Sequence, residues 1–296
     1  MWKQFFAPNQ LSEALEILER YRDQARIIAG GTDLVLDFGS RRYSSVEALV
    51  DISSIPELKK IWLENDVMHI GAAATLTEVL QSNVLQSRVP VLVEAARNVA
   101  GSQIRNIATI GGNIVNASPA ADTTPPLLVL DSIVSIIGPG ERFREIPLRE
   151  FLLGNRKVDL RAGEIVTGFH FTLPDSEARQ YFRKVQSRQS MAIAILNLAI
   201  LLEVKDDQIE DVRIAMGAVA PTAVRIETVE KELRNLKIHS AVQPGQFAGV
   251  KEDINPISDF RASYLYRLKV AERLLGEAIT GLLGLSEEEL LNGVPL

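Results

Sequence analysis

The sequence predicts an α+β protein, and three observations carry this prediction. The first 55 residues alternate short apolar strands with helices, and the middle of the chain contains hairpin patterns. Two long antiparallel strands on either side of residue 206 are followed by helices. At 296 residues the chain exceeds a usual single domain of about 100–150 residues, so we expect two or three domains.

The opening region is predicted to form a small β-α-β-α-β unit that ends near residue 55. Ser12 can cap a helix whose apolar positions have helical spacing, namely Leu11, Ala14, Leu15 and Leu18. The strands and helical turns that follow are predicted at 26–29, 34–38, 48–52 and 55–58.

The middle region is predicted to contain two hairpins. Asn65-Asp66 separates the strand patterns 61–63 and 67–70, and this dipeptide is a good hairpin turn. Gly138-Pro139-Gly140 separates 133–137 from 141–146 in the same way. Helices are predicted at 76–81, 91–100 and 125–130, and Gly101 is expected to close the second of them.

From about residue 176 the pattern changes to longer elements, so we predict domains at 1–55, 56–175 and 176–296. Long strands at 193–204 and 209–216 are joined at Asp206-Asp207, and a connector is expected at 243–259. Shorter strands are predicted at 165–172 and 181–185, and a helix at 227–236. One face of the final helix carries an apolar stripe of Leu265, Leu268, Ala271, Leu275, Ala278 and Leu282.

Composition excludes several kinds of site. The chain has no cysteine, which excludes disulfides, thiolate zinc sites and Cys-ligated iron–sulfur clusters within it. Its three histidines are scattered, so neither a His-rich metal site nor an acid–base catalytic constellation is expected. A net charge of −6 does not favour nucleic-acid binding. We expect no signal peptide, no membrane span and a cytoplasmic location.

Two glycine-bearing loops are the strongest candidates for a ligand site. IAGGTDL spans 28–34, and TIGGN spans 109–113 inside a stretch without charge between Arg105 and Asp122. Glycine has no Cβ, so the N–H groups of Gly111 and Gly112 could curl around an anion. Asp33 is expected to cap the turn after the first loop. The residues alone leave two readings open, a phosphate-containing ligand or plain chain turns.

Six segments in a consistent order resemble one family over nearly the whole chain. They are IIAGGTDL at 27–34, QIRNIATIGGNIVNASPAAD at 103–122, GEIVTGF at 163–169, FRKVQSRQSMAIA at 182–194, VRIAMGAVAPTAVR at 212–225 and DFRASYLYR at 259–267. The chain thus resembles the FAD-binding medium subunit of the molybdenum hydroxylases, such as the carbon monoxide, xanthine and nicotinate dehydrogenases. The resemblance implies the FAD-binding fold of vanillyl-alcohol oxidase and p-cresol methylhydroxylase. Two N-terminal α+β subdomains would hold FAD, followed by a C-terminal α+β domain with an antiparallel sheet and helices.

The resemblance also implies a role for individual residues. Ala100 would lie in a helix end against the flavin, and Asp122 would accept hydrogen bonds from the ribityl hydroxyls. Val166 would present its backbone to the adenine, and Lys184 would reach the isoalloxazine region. The FAD pyrophosphate would be held by Ile28, Ala29, Gly30, Gly31, Thr32, Asp33, Leu34, Thr109, Ile110, Gly111, Gly112 and Asn113.

Three of these residues also have a purely structural interpretation. Asp122 could cap the helix at 125–130, Lys184 could be a solvated strand residue, and Val166 could belong to the core. His69 is interpreted as structural. Neither 27–34 nor 103–122 contains His, Cys or Tyr, so FAD is expected to be non-covalent. Val99 stands where some relatives place an aromatic residue beside the flavin, which leaves the stacking partner open.

Taken together, the resemblance implies an electron-transfer subunit without catalytic or metal-binding residues of its own. Substrate would be hydroxylated at a molybdenum cofactor in a large subunit, and two [2Fe–2S] clusters in a small subunit would pass electrons to FAD in this chain. NAD⁺, a quinone, oxygen or another acceptor would take them from the flavin. The three subunits would form a heterotrimer, alone or dimerised. We expect an apolar docking face beside 99–105, with Arg105 as either a docking charge or the partner of a local carboxylate.

Two alternatives remain open at this point. One is a stand-alone flavin reductase or oxidase of the same fold, which needs a substrate site with its own acid or base. The other is a scaffold subunit that has kept the fold and lost the flavin.

Overall fold

The computed structural model describes residues 2–39, 46–188, 190–241 and 245–285. They form strands and helices in alternation, which confirms the predicted α+β class. The strands are β1 (Gln4–Phe6), β2 (Ala25–Ile28), β3 (Ala48–Asp51), β4 (Ile61–Glu64), β5 (Val67–Gly71), β6 (Ile133–Gly138), β7 (Arg142–Pro147), β8 (Leu152–Gly154), β9 (Lys157–Val158), β10 (Ile165–Thr172), β11 (Arg179–Val185), β12 (Leu196–Lys205), β13 (Gln208–Gly217) and β14 (Val224–Arg225).

The helices are mostly short and lie between these strands. They are α1 (Leu11–Tyr21), α2 (Leu34–Gly39), α3 (Leu76–Gln81), α4 (Asn83–Arg88), α5 (Pro90–Arg97), α6 (Ser102–Arg105), α7 (Ile110–Val115), α8 (Thr124–Val129), α9 (Leu148–Phe151), α10 (Glu227–Leu233), α11 (Val250–Asp253) and α12 (Tyr264–Leu283). Among the residues described, no helix combines the length and the apolar character that crossing a membrane requires.

The chain divides into two compact units, each assembled from separate segments. The N-terminal unit comprises Met1–Gln86, Val99–Ser118 and Asp131–Leu173. The C-terminal unit comprises Ser87–Asn98, Pro119–Leu130 and Pro174–Leu296. The division into three domains at 55 and 175 stays a prediction.

The N-terminal unit begins with the predicted β-α-β-α-β arrangement. The three strands of this arrangement form a parallel sheet in the order β1-β3-β2. Helix α1 buries Ala14, Leu15 and Leu18, as the helical spacing predicted. The predicted cap is wrong, because Gln10 has the extended backbone of the N-cap and Ser12 lies inside the first turn.

A five-stranded antiparallel sheet completes the N-terminal unit, in the order β4-β5-β10-β6-β7. Both predicted hairpins are confirmed, since β4 pairs with β5 and β6 with β7. Asn65 and Asp66 have φ angles of 47° and 62°, as a two-residue hairpin turn of type I′ requires. Alternate residues such as Met68, Val134 and Phe169 are buried on one face of the sheet.

The C-terminal unit is built on a four-stranded antiparallel sheet in the order β11-β12-β13-β14. The long pair β12–β13 turns at Asp206-Asp207, as predicted. One face packs against α12 through residues such as Leu198, Ile214 and Leu275. Helices α5 and α8 pack on β11, β12 and β13.

Several predicted boundaries are wrong. Helix α5 ends at Arg97, and Gly101 precedes α6 instead of closing a helix. Leu265 is 64% exposed because it lies in the first turn of α12, before the buried face begins at Arg267. The predicted connector at 243–259 contains α11, although residues 243 and 244 lie outside the described part.

Candidate functional site

The second glycine loop is anchored to the segment after β5. Thr109 caps α7, because its Oγ1 accepts a hydrogen bond from Gly112 N–H at 3.0 Å. Ile110 N–H donates to the Ala74 carbonyl, and Gly111 N–H donates to the Ala72 carbonyl, both at 2.9 Å. The two glycine N–H groups are therefore engaged inside the protein. That they curl around an anion stays a prediction.

Gly111 and Gly112 have different structural positions. Gly111 is buried, and a Cβ there would lie 2.5 Å from the Ala72 carbonyl oxygen, so close packing of α7 requires glycine. Gly112 is exposed, and a Cβ there would meet only the Thr109 Oγ1, at 2.9 Å. Asn113 continues α7 by donating its N–H to the Thr109 carbonyl. Of the two glycines, Gly112 is therefore the one that leaves the surface open to a ligand.

The first glycine loop packs directly on the segment that leads into the second loop, within the N-terminal unit. A Cβ on Gly30 would lie 2.0 Å from the Ile107 carbonyl oxygen and 2.9 Å from the Ala108 Cα. Gly31 has a φ of +69°, in the left-handed region that favours glycine. Ile28 ends β2, Ala29 follows it, and Leu34 is the first residue of α2. The structure thus brings the two predicted loops together.

The first loop offers backbone donors that the second does not. In the part of the chain that the structure describes, the N–H groups of Gly30, Gly31, Thr32 and Asp33 reach no hydrogen-bond acceptor. Asp33 instead accepts a hydrogen bond through its carbonyl from Asp37 N–H at 3.0 Å, at the start of α2. Successive backbone donors in a turn suit an anion.

Arg105 braces the turn that contains Ala100. Its Nη1 donates to the carbonyls of Val99 at 2.9 Å and Ala100 at 3.0 Å. Ala100 has a φ of 43°, unusual for a residue with a Cβ, and these hydrogen bonds help to hold it there. Beside this turn Ile104 and Ile107 are exposed.

Val166 lies at the start of β10 and is buried. The pairing of β10 with β6 is irregular between Val166 and Gly168. Just before it, Glu164 accepts two hydrogen bonds from Arg144, at 2.9 and 2.7 Å, and one from the Arg161 N–H. Burial opposes ionisation of Glu164, but these hydrogen bonds outweigh burial and lower the pKa of its carboxyl. This anchor was not predicted, because Arg144 is distant in sequence.

Asp122 and Lys184 form a buried ion pair in the C-terminal unit. The Lys184 Nζ lies 2.7 Å from the Asp122 Oδ2, and the two side chains are only 3% and 7% exposed. Lys184 is therefore not a solvated strand residue. Asp122 does not cap α8 either, since Thr123 is the residue at the N-cap position. Lys184 also donates to the Asn98 carbonyl at 3.0 Å.

Asn197 completes this cluster and was not predicted as a site residue. Its Nδ2 donates to the Asp122 Oδ1 at 2.9 Å. Burial raises the pKa of Asp122, while the ion pair with Lys184 and the hydrogen bond from Asn197 act in the opposite direction. The sequence signal was one polar residue inside the apolar strand β12, which by itself does not identify a partner.

A row of rings crosses one face of the five-stranded sheet. The Trp62 and His69 rings are stacked with centroids 4.6 Å apart, and His69 lies 5.5 Å from the His170 ring. Burial and the neighbouring His170 lower the pKa of His69. These contacts support the structural interpretation of His69. Among the described residues no cluster of three or more His, Asp or Glu side chains could hold a metal ion.

Two family models together match most of the chain. Residues 2–174 match the FAD binding domain in molybdopterin dehydrogenase. Residues 180–282 match the CO dehydrogenase flavoprotein C-terminal domain.

Individual relatives agree with these matches. A putative xanthine dehydrogenase FAD-binding subunit of Escherichia coli (strain K12) is 33% identical over 275 residues, which cover 91% of this chain and 92% of that protein. The nicotinate dehydrogenase FAD-subunit of Eubacterium barkeri is 35% identical over 207 residues, 69% of each chain. A solved structure of carbon monoxide dehydrogenase from Hydrogenophaga pseudoflava, lacking the Mo-pyranopterin moiety, superposes with a TM-score of 0.90 at 26% identity, covering 96% of this chain and 98% of that one.

Proposed function

Because this chain belongs to the family of FAD-binding subunits of the molybdenum hydroxylases, we propose that it binds FAD non-covalently and passes electrons from an iron–sulfur partner to a further acceptor. The observation that carries the proposal is the first glycine loop, packed at Gly30 on the two residues that precede the second loop. This first loop has four consecutive N–H groups without an acceptor in the described part of the chain. FAD would supply the redox chemistry, and this chain would bind it and orient it.

The pyrophosphate of FAD is assigned to the first loop in this proposal. Residues 30–33 offer backbone N–H donors, and no Lys or Arg occurs in either loop to compete with them. Gly112, exposed and without a Cβ, allows the ligand to approach the start of α7. Gly111 contributes through packing instead, because its N–H is engaged with Ala72. The remaining residues of 28–34 and 109–113 would form the walls of this pyrophosphate site.

The flavin and its ribityl chain are assigned to the buried ion pair. An ammonium has three N–H donors, and within the described residues Lys184 uses two of them, on Asp122 and on the Asn98 carbonyl. The third donor is available to the isoalloxazine ring. Asp122 would accept hydrogen bonds from ribityl hydroxyls, while Val166 would present its backbone to the adenine and Ala100 would approach the flavin.

The docking face for the iron–sulfur partner is assigned to the surface beside 99–105. Ile104 is 39% exposed and Ile107 is 51% exposed, which gives this surface the apolar character that a protein interface needs. Arg105 is half-buried and engaged with the carbonyls of its own turn. It therefore acts in this proposal as a brace for the turn that carries Ala100, more than as a docking charge.

The first experiment is release of the flavin. The purified chain should show the visible absorption bands of an oxidised flavin, and acid or heat precipitation should release all of it as FAD. A colourless protein that binds no added FAD would favour a scaffold subunit. Flavin retained in the pellet, or FMN in the supernatant, would contradict the proposed non-covalent FAD.

The second experiment tests the partners. The chain is tagged in its native host and purified at low salt, and the eluate is analysed for metals and for further polypeptides. Molybdenum and iron recovered with FAD support a complex with a large molybdenum subunit and a small [2Fe–2S] subunit. Reduction by the organic substrate followed by addition of NAD⁺, a quinone or oxygen identifies the acceptor. A metal-free chain that oxidises an organic substrate alone would overturn this part of the proposal.

A further inference from the structure

The buried ion pair rests on a row of three residues that crosses the sheet of the C-terminal unit. Lys184 on β11 pairs directly with Asn197 on β12, and Asn197 pairs directly with Gly217 on β13. Directly paired residues of an antiparallel sheet project to the same face. Asp122 directly precedes Thr123 at the start of α8, and its carboxylate contacts two residues of this row, Lys184 and Asn197.

Each oxygen of the Asp122 carboxylate has its own donor in this arrangement. The Lys184 ammonium donates to Oδ2 at 2.7 Å, and the Asn197 amide donates to Oδ1 at 2.9 Å. The same amide is 3.4 Å from the carbonyl of Ala121, so it contacts the backbone that carries Asp122 as well. Asp122 is thereby fixed in both position and rotation.

An asparagine is an unusual residue at this place in the strand. Its neighbours Leu196 and Leu198 are fully buried, and Asn197 itself is 0% exposed. Its Oδ1 is a buried atom without a hydrogen-bond partner among the described residues. A buried acceptor without a partner is unfavourable, so an apolar side chain would pack better here if packing were the only requirement.

Gly217 provides the space for this amide. A Cβ on Gly217 would lie 2.2 Å from the Asn197 Oδ1 and 3.1 Å from the Pro119 carbonyl oxygen. The adjacent Ala218 N–H donates to that same carbonyl at 2.6 Å, which ties β13 to the segment before Asp122. Asn197 and Gly217 are therefore matched to each other and to the position of Asp122.

We infer that Asn197 is a positioning residue of the FAD site: its amide fixes the orientation of the Asp122 carboxylate so that Asp122 can hold Lys184, and Gly217 gives that amide the room to do so. The inference rests on the proposed FAD site. Without the Asn197 amide, the Asp122 Oδ1 loses its hydrogen-bond donor in an apolar environment. Lys184 alone then opposes the effect of burial, which favours the neutral carboxylic acid of Asp122. The orientation of Lys184 towards the flavin is then lost.

The test combines a direct reading of Asp122 with FAD binding. Carbon-13 NMR of the flavin-free full chain, labelled at aspartate carboxyls, follows the titration of Asp122, whose signal is identified by its loss in Asp122→Asn. Asn197→Leu should move the titration midpoint to higher pH and weaken FAD binding by about tenfold or more. Leu198→Ala, a cavity on the opposite face, is the control for general destabilisation and should leave the midpoint in place.

Gly217→Ala provides a second test that leaves every donor in the chain unchanged. Its Cβ displaces the Asn197 amide, so the midpoint and the FAD affinity should move in the same directions as in Asn197→Leu. An unchanged Asp122 midpoint in both variants overturns the inference, and so does an unchanged FAD affinity when the midpoint moves. If the wild-type chain binds no FAD, the proposed function fails, whereas the titration still tests the action of Asn197 on Asp122.

Discussion

The two regions that contain the candidate residues, one in each compact unit, are built from different chemical groups. In the N-terminal unit the contact is between backbone segments: Gly30 allows the first loop to approach Ile107 and Ala108, and the available donors are main-chain N–H groups. In the C-terminal unit, charged side chains are buried and held by one another, with Lys184 only 3% exposed. A backbone site is neutral and depends on shape, while a buried charged site depends on each partner being present. The two regions should therefore respond differently to substitution.

The largest effect is expected in the charged region, from Asp122→Ala. The substitution leaves the Lys184 ammonium buried without its counterion, and breaking a buried pair in this way costs roughly 3–5 kcal/mol of unfolding free energy. Chemical denaturation measures it. The double variant Asp122→Ala/Lys184→Met should be more stable than the single one, since it removes the uncompensated charge. Glu227→Ala breaks the exposed pair with Lys231 and should change stability by less than about 0.5 kcal/mol.

The next largest effect is expected in the backbone region, from Gly30→Ala. Its Cβ would lie 2.0 Å from a backbone carbonyl oxygen, so the two loops have to separate. We expect a loss of about 3 kcal/mol in unfolding free energy together with a loss of FAD binding. Gly281→Ala is a suitable control, because a Cβ there meets nothing within 4 Å and lies in helix α12. A Gly30→Ala variant as stable as the wild type would show that the loops do not need this contact.

The third prediction separates ligand contact from packing inside one loop. Gly112→Val should remain folded, because the position is exposed and only the Thr109 hydroxyl has to move, yet FAD affinity should fall at least about tenfold. Gly111→Val, next to it, should fail at the level of folding because its Cβ would meet the Ala72 backbone. Full FAD occupancy in Gly112→Val would remove this residue from the binding surface.

The same contrast explains what the sequence revealed. Glycine loops are contiguous, so 28–34 and 109–113 were recognisable as motifs, and hairpins such as the one at Asn65-Asp66 follow from local turn chemistry. The hydrogen-bond partners of their N–H groups could not be predicted, because only the tertiary structure shows that the Gly111 N–H reaches the Ala72 carbonyl. The charged cluster joins positions 98, 122, 184 and 197, and no local pattern marks such a set. Lys184 therefore had a solvated alternative, and Asn197 had no predicted role.

The smallest effect is expected outside both regions, at the ring row of the N-terminal sheet. His69 is stacked between Trp62 and His170, and burial together with His170 lowers its pKa below the ordinary value of 6.5. Glu64 and Glu145 act in the opposite direction and limit the shift. The folded state thus favours the neutral ring. The stability that comes from keeping His69 neutral is present above pH 6.5 and is lost as the pH falls through the lowered pKa of His69 in the folded state.

His69→Phe keeps a ring in the row but cannot be protonated, so the decline of stability below pH 6.5 should be shallower in this variant than in the wild type. Denaturation midpoints measured from pH 5 to pH 8 test this. His170→Phe is the matched variant, because it replaces the neighbouring imidazole ring and leaves His69 in place. The same acid-induced decline in His69→Phe and wild type would assign it to other groups. Because the row lies outside the proposed FAD residues, FAD affinity at pH 8 should be unchanged in His69→Phe. A large loss there would mean that the backbone region extends across the sheet, and the division into a neutral and a charged region would have to be redrawn.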